Sequence, residues 1–303
     1  MVFTVTLNPA IDYYVAVDNF IEGKLNLASE SYMLPGGKGI NVSKVLKNYG
    51  VQSIALGFVG GSTGDYIRKK LKKYGIIDRF IEIDENTRIN IKLKTNKSES
   101  EISGKSPEIS KEKYEEFIKT LDDIGSHDYL SLSGSVPKSL PDKIYSEIIK
   151  KLSKGVKVIL DTRGEAFTEA LNSGVFLTKP NKIELGEFLK KEINNLDDII
   201  NGAKKLQDMG SENVLVSTGG ENSVLVTKNG IYIGNTPKGN VVSSVGAGDS
   251  MVAGIIYGLS KGLTIEESYR YGICSGSATA FKNGLADLES MSNLLSECII
   301  NKL

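Results

Sequence analysis

The sequence predicts an α/β fold: one three-layer α/β/α domain over residues 1–303, with a mostly parallel central sheet and a small β-sheet lid. Three observations carry this. From residue 125 onward strand-like and helix-like segments alternate, which argues for a parallel sheet with helices on both faces. Two earlier segments, about 12–35 and 80–106, alternate apolar and polar residues with period 2 and hold no helical pattern, so they read as β insertions. Two glycine clusters, near residues 37 and 247, each stand just before a helix with one apolar face.

The chain opens MVFTVTLNPAID. It has no basic leading region and meets Asn8-Pro9 and Asp12 early, so it reads as a first strand closed by Asp12 and not as a signal peptide. PGGKGINVSKVLKNYG (35–50) reads as a glycine turn and a helix whose face is Val42, Val45, Leu46 and Tyr49, ending at Gly50. Lys38 and Asn41 stand in its first turn. Lysine is normally unfavourable at the positive end of a helix, so its presence points to an anionic ligand there. IALGF (54–58) is a strand, and GDYIRKKLKKY (64–74) is a helix with a solvated lysine face that stops at Gly75. In TRINIKLK, Arg88, Asn90, Lys92 and Lys94 share one face, and Ile89, Ile91 and Leu93 the other. Such a strand can cover an anionic ligand; the alternative is a solvent-facing edge guarded by lysines. The apolar back of the lid predicts two lids packed together in a homodimer.

The second half alternates. DYLSLSG (128–134) is strand-like and PDKIYSEIIKKL (141–152) helical, and VKVIL (156–160) and VFLTK (175–179) are strands. IELGEFLKK (183–191) and DDIINGAKKLQDM (197–209) are helical. NVLVSTGGENSVLV (213–226) is a strand, a Thr-Gly-Gly turn and a strand, which suits a nucleotide's phosphate or ribose but equally an ordinary hairpin. Asn181 and Glu184, three apart at a helix start, can reach one hydrated metal ion or form a capping box.

VVSSVGAGDSMVAGIIYGL (241–259) is the most informative stretch. It reads as a short strand, a glycine turn and a helix with Val252, Ile255, Ile256 and Leu259 on one face. Gly246, Ala247 and Gly248 let a backbone approach a ligand closely, and free amides at a helix start favour an anion. Asp249 beside that anion site is placed to take a proton from an attacking hydroxyl, as phosphoryl transfer requires. The alternative is that Asp249 only caps the helix.

Composition narrows the classes. Net charge is +0, which leaves no electrostatic footprint for nucleic acid or an acidic membrane. No apolar run approaches the roughly 18 residues of a spanning helix. Cys274 and Cys298 are too few for a disulfide framework and read as buried free thiols, in helix-like segments, in a reducing cytoplasm. The single histidine, His127, excludes a paired-histidine metal site and leaves a Ser-His-Asp triad only a turn-like GSHD segment. A base is then a carboxylate, and a divalent ion a hard, oxygen-ligated one such as Mg²⁺. Neither standard nucleotide motif is complete. Gly39 stands where a Walker A loop needs Ser or Thr, and Gly246–Met251 does not make G-x-G-x-x-G.

In this order, the pieces resemble the PfkB (ribokinase-like) family of sugar kinases. GGKGIN near the start and GAGDS near the end are similar to its two signature regions. TLNPAID, GGKGINVSKVLK, TRINIKL, GFVGG, SGSVP and SGSATAF resemble its 1-phosphofructokinase and tagatose-6-phosphate kinase branch, and TRINIKL and SGSATAF the former. The resemblance covers essentially the whole chain. It implies a ribokinase-like fold, ATP and Mg²⁺ as cofactors, and a sugar phosphate as acceptor. By it, Asp249 would be the base and Gly246, Ala247 and Gly248 the anion hole. Asn181 and Glu184 would hold the Mg²⁺ of MgATP, Glu184 through water. Asp12, Gly37 and Asn41 would bind the sugar. Lys38 and Arg88, with Asn90, Lys92 and Ser133, would hold the phosphate already on it. Ser217, Thr218 and Gly220 would take ATP, with Asn283 near the adenine. One stretch departs: EISGKSPEIS (101–110) has Ser106 where the branch has glycine, in the segment returning from lid to domain.

The implied reaction is phosphorylation of the 6-hydroxyl of fructose 1-phosphate, giving fructose 1,6-bisphosphate, with tagatose 6-phosphate as the alternative acceptor. A non-catalytic sugar-phosphate sensor could lose Asp249 or Glu184, and both are present. A nicotinamide oxidoreductase would need a glycine fingerprint that is missing. The expected partners are small molecules and a second copy of the chain, with no nucleic acid and no membrane.

Overall fold

Side chains along a strand point alternately to opposite faces, and the central strands here are apolar on both, which calls for helices on both sides. The computed structural model describes residues 1–303. Its first part contains β1 (Val2–Thr6), β2 (Ala10–Val17), β3 (Glu30–Gly36), α1 (Lys38–Asn48), β4 (Ser53–Gly60) and α2 (Gly61–Tyr74). There follow β5 (Ile77–Asp78), β6 (Ile81–Ile83), β7 (Arg88–Thr95), β8 (Glu99–Ile102), α3 (Lys111–Thr120), β9 (Tyr129–Ser133) and α4 (Ile144–Lys151). Next are β10 (Lys157–Asp161), α5 (Glu165–Leu171), β11 (Val175–Thr178), α6 (Lys182–Leu189), α7 (Leu196–Asp208) and β12 (Ser211–Val216). The chain closes with β13 (Ser223–Thr227), β14 (Gly230–Gly234), α8 (Ala247–Ser260), α9 (Ile265–Ala280), α10 (Leu288–Ser292) and β15 (Ile300–Lys302).

The large sheet runs β15-β14-β13-β12-β11-β10-β9-β1-β4-β5, with β6 beside β4. Neighbours from β12 to β5 are parallel, and β13, β14 and β15 add antiparallel. Phe3, Val5, Val158 and Leu160 enter one core, under Phe117, Ile144, Phe167, Leu185 and Leu206 of α3 to α7. Val2, Ile159 and Leu177 enter the other, under Val45, Ile255 and Ile273 of α1, α8 and α9. The fold is thus a three-layer α/β/α domain with a mostly parallel sheet. A second, four-stranded sheet, β3-β2-β7-β8, is the lid. Its β2 and β7 are parallel, with Asp12 opposite Asn90 and Tyr14 opposite Lys92.

Four expectations are corrected. The first strand ends at Thr6, and Asp12 lies on β2 of the lid. Pro9 has no N–H to give a ladder, and Asn8-Pro9 turns the chain. Residues 81–83 pair with β4 in the body, with Ile81 and Ile83 buried there, so the second lid insertion contributes β7 and β8 only. Residues 241–245 are not a strand: Val241, Val242 and Val245 are exposed in a loop tied to α9 by Val242 N–H donating to Ala280 O at 2.7 Å. β-branched residues form a strand only where a ladder partner exists. Cys274 lies on α9, but Cys298 lies outside any helix, just before β15; both are buried and free. No helix is long and apolar enough to cross a membrane.

Candidate active site

The carboxyl ends of β1, β9, β10 and β11 lie together, where open α/β sheets bind ligands. The starts of α1 and α8 meet there. Gly246 precedes α8 with φ 80°, a left-handed conformation that glycine adopts without strain. Asp249 is the third residue of α8 and makes no capping bond, so the capping alternative fails. It is 7% exposed, and its Oδ2 accepts a hydrogen bond from Asn41 Nδ2 at 2.9 Å. Burial pushes its carboxyl up to about 6, and the charge of Asp161 adds to the rise; the Asn41 bond, Lys38 and Lys179 oppose it. A carboxylate so tuned is a stronger base than an exposed one, yet stays ionised at neutral pH.

Asp249 lines one of two neighbouring cavities, which share Gly246. One, of about 850 Å³, lies under the lid and is lined by Asp12, Tyr14, Asn41, Lys44, Lys92 and Gly246 among others. The other, of about 750 Å³, is lined by Gly246, Ala247, Gly248, Asp249, Glu184 and the 217–221 turn, with Lys38, Asp161 and Lys179. Gly246 lines both, and the Asn41–Asp249 bond joins a residue of the first to one of the second.

On the lid side, Asn90 Nδ2 donates to Asp12 Oδ1 at 3.0 Å, and Lys92 pairs with Glu101 at 2.6 Å. Asp12 lies against Gly36, where an added Cβ would stand 2.3 Å from its Oδ2. Arg88 Nη2 donates to the Asn8 carbonyl at 3.1 Å, while its Nε is buried without a partner. Asn8 Nδ2 donates to Ser106 Oγ at 2.8 Å and to Ser135 Oγ at 3.3 Å. The departing Ser106 therefore ties the lid's return segment to the body.

On the opposite side, Asn181 and Glu184 form the capping box, with both bonds at 2.8 Å. This does not remove Glu184 from the site: one carboxylate oxygen is held by the Asn181 N–H, and the side chain still borders the cavity. Beside Asp249 and Glu184 no cage of three His, Cys, Asp or Glu ligands forms. A single accessible carboxylate of fixed orientation fits Mg²⁺, which keeps several waters and takes its other ligands from phosphates. Ser217, Thr218 and Gly220 line this cavity.

Six residues sit apart from the places the sequence suggested, and of these Arg88 and Asn90 border neither cavity. Asn283 lines the lid-side cavity, not the one holding the 217–221 turn; Phe281 and Ser277 of the same stretch line the latter. Ser133 is buried with its hydroxyl bonded to Ser131 Oγ at 2.8 Å, and borders neither cavity. Gly37 also borders neither; it packs on Thr6, whose Cγ2 would lie 2.5 Å from an added Cβ. Lys38 lines the second cavity while Lys92 lines the first, and its ammonium turns to Asp161 Oδ1, 3.1 Å away. The sequence reading missed Asp161 and Lys179, which are 2% and 4% exposed. The available signal was position, since each stands at the carboxyl end of a parallel strand.

A buried carboxylate at an uncapped helix start, lining one of two cavities that share Gly246, is an arrangement that phosphoryl transfer can use. The model of the pfkB family of carbohydrate kinases matches residues 4–291, and the chain belongs to that family. A 1-phosphofructokinase of Bacillus subtilis is 44% identical over 304 residues, covering 100% of both chains. A D-tagatose-1-phosphate kinase of Bacillus licheniformis is 32% identical over 305 residues, again covering 100% of both. A solved structure from Staphylococcus aureus, 38% identical, superposes with a TM-score of 0.89 over 100% of this chain and 99% of its own.

Proposed function

We propose that this chain is an ATP-dependent 1-phosphofructokinase, converting fructose 1-phosphate to fructose 1,6-bisphosphate. The observation that carries the mechanism is the buried Asp249 carboxylate, which lines one cavity and is bonded to Asn41 of the other. The full-length likeness to a 1-phosphofructokinase supports the choice of acceptor.

In this reading Asp12 and Asn90 hold sugar hydroxyls under the lid, and Arg88 takes the phosphate the sugar already carries. Asn41 orients the base, and Asp249 takes the proton of the 6-hydroxyl. That oxygen forms a bond to the γ-phosphorus as the bond to the bridging oxygen breaks, and ADP leaves. The Gly248 and Asp249 amides at the start of α8 would face the charge on the transferred group, while the Ala247 N–H already donates to Ser244 O at 3.2 Å. Ser217, Thr218 and Gly220 position the nucleotide. When bound, Mg²⁺ would neutralise charge on the phosphate oxygens, with Glu184 holding it through water and Asn181 fixing that carboxylate. The lid excludes water from the transfer.

A second reading has D-tagatose 1-phosphate, the C4 epimer, as acceptor, on the strength of the Bacillus licheniformis relative. It stands ahead of the tagatose 6-phosphate expected from sequence, because both named relatives act on 1-phosphates. We further read the chain as a single kinase domain with an inserted lid, working in the cytoplasm, where ATP and sugar phosphates are found. The exposed Met33, Ile89 and Ile102 on the back of the lid support a homodimer through it. Sedimentation at micromolar protein should give a dimer; a monomer would contradict that.

The activity is tested by following ³¹P resonances of fructose 1-phosphate and MgATP with the enzyme. Fructose 1,6-bisphosphate and ADP should appear in equal amounts. Binding of the sugar phosphate without turnover would leave a sensor instead.

A further inference from the structure

Asp161 ends β10 beneath the anion site and is 2% exposed. Its Oδ1 lies 3.1 Å from Lys38 Nζ and 3.5 Å from Lys179 Nζ, so one carboxylate oxygen holds two ammonium groups. The lysines come from different places, the first residue of α1 and the residue after β11. Lys179 Nζ also lies 3.3 Å from where a Cβ on Gly248 would stand, directly under the start of α8. Two cations do not gather there unaided. Lys179 is buried and Lys38 partly so, they repel one another, and Lys38 also sits on the positive end of its own helix. Only a buried anion makes the arrangement stable. The pair in turn holds the Asp161 carboxyl below the usual carboxylate range against its own burial.

We propose that Asp161 is the positioning residue of phosphoryl transfer: it fixes the ammonium groups of Lys38 and Lys179 at the anion site before α8, where they meet the charge of the transferred group. This moves Lys38 from the sugar's own phosphate to the phosphoryl in flight. The proposal rests on Asp249 being the base. Asp249 is faced by Asp161 from β10, Lys38 and Asn41 from α1, and Lys179 from the end of β11, with Glu184 of α6 on the same cavity. Neutralising Asp161 therefore also lowers the pH at which Asp249 ionises, and removing a lysine raises it.

The test is the pH dependence of kcat for wild type, Asp161→Asn and Lys179→Met, with KM for fructose 1-phosphate read alongside. For Asp161→Asn, kcat should fall about ten- to hundredfold, with KM for the sugar changed less than about threefold. Its acid limb should move down by about one pH unit, and that of Lys179→Met should move up. Limbs that stay in place overturn the proposal whatever happens to kcat, because they leave Asp161 only a structural part. Should Asp161→Asn fail to fold by circular dichroism, the upward shift in Lys179→Met decides alone. The base itself is checked separately. A wild-type profile with no acid limb near 6, or an active Asp249→Asn, overturns the reading of Asp249 and with it the proposal that rests on it, whereas a wild-type limb near 6 that neither variant moves overturns the proposal alone.

Discussion

The two helices that begin at the site, α1 and α8, both follow a glycine with positive φ, 129° at Gly37 and 80° at Gly246, and neither has a side-chain cap. They begin with opposite charges. α1 puts Lys38 on its positive end, where a cation is disfavoured; α8 puts Asp249 in its first turn, where an anion is favoured. The dipole rule alone would depress both pKa values. The structure raises both. Burial works against the charge of Lys38, but Asp161, Asp249 and Glu184 outweigh it. Burial and Asp161 together push Asp249 up to about 6 despite its helix start. At Lys38 a buried carboxylate at hydrogen-bond distance outweighs the helix end; at Asp249 burial outweighs it, with the charge of Asp161 adding to the rise.

The largest effect expected on this comparison is at Asp249. Asp249→Asn should keep sugar binding and lose about 10²–10⁴ in kcat, the usual worth of a general base. A loss under about tenfold would break the account. The same variant should be more stable than wild type. A carboxyl raised from 3.8 to about 6 penalises the folded state fully above pH 6, and not at all once both states are protonated. At pH 8 the variant should gain about 2–3 kcal/mol, fading as pH falls from 6 towards 4, as chemical denaturation would report.

Next come the two glycines. Gly246→Ala forces a side chain into the left-handed region at a cost of about 1–2 kcal/mol, and Gly37→Ala should cost more, because φ is 129° there and the new Cβ would stand 2.5 Å from Thr6 Cγ2. Their activities should diverge. Gly246 lines both cavities and Gly37 neither, so kcat should fall about tenfold or more at Gly246 and less than about threefold at Gly37. Equal losses would mean that α1's glycine shapes the site as much as α8's.

The smallest effects come from a second matched pair. α6 and α9 both begin with a capping box, Asn181 with Glu184 and Thr264 with Glu267, but only the first borders the cavity. Thr264→Ala should cost about 1 kcal/mol in stability and leave kcat unchanged. Glu184→Gln can keep its bond to the Asn181 N–H, so its melting temperature should hardly move. The Mg²⁺ concentration for half-maximal rate should rise several-fold. A matching loss of stability in the two, with no change in Mg²⁺ dependence, would reduce Glu184 to a cap.

Most of the fold was legible because its signals are local. Strands such as 156–160 carry apolar runs, and α1 and α8 carry one-faced helical patterns behind glycines. The false strand at 241–245 shows the limit, since three valines in five residues without a neighbouring edge stay a loop. In the site, GAGDS and GGKGIN named the two helix starts. Asp161 was invisible because its partners are 123 residues upstream and 18 downstream, and only strand order brings them together. Lys38 was legible in part for the same reason: its charge at a helix start points to an anion, but the buried carboxylate that holds it lies 123 residues away. The unpartnered Nε of Arg88 was also beyond the sequence, because it depends on what the lid covers.

The most direct test of the central claim is acceptor preference. It compares kcat/KM for ADP release with fructose 1-phosphate, tagatose 1-phosphate, tagatose 6-phosphate, fructose 6-phosphate and the free sugars, at saturating MgATP. The account predicts that fructose 1-phosphate is preferred at least about tenfold, or ~1.4 kcal/mol of transition-state discrimination. A preference for either 6-phosphate, or turnover of free sugars at the same rate, would contradict it.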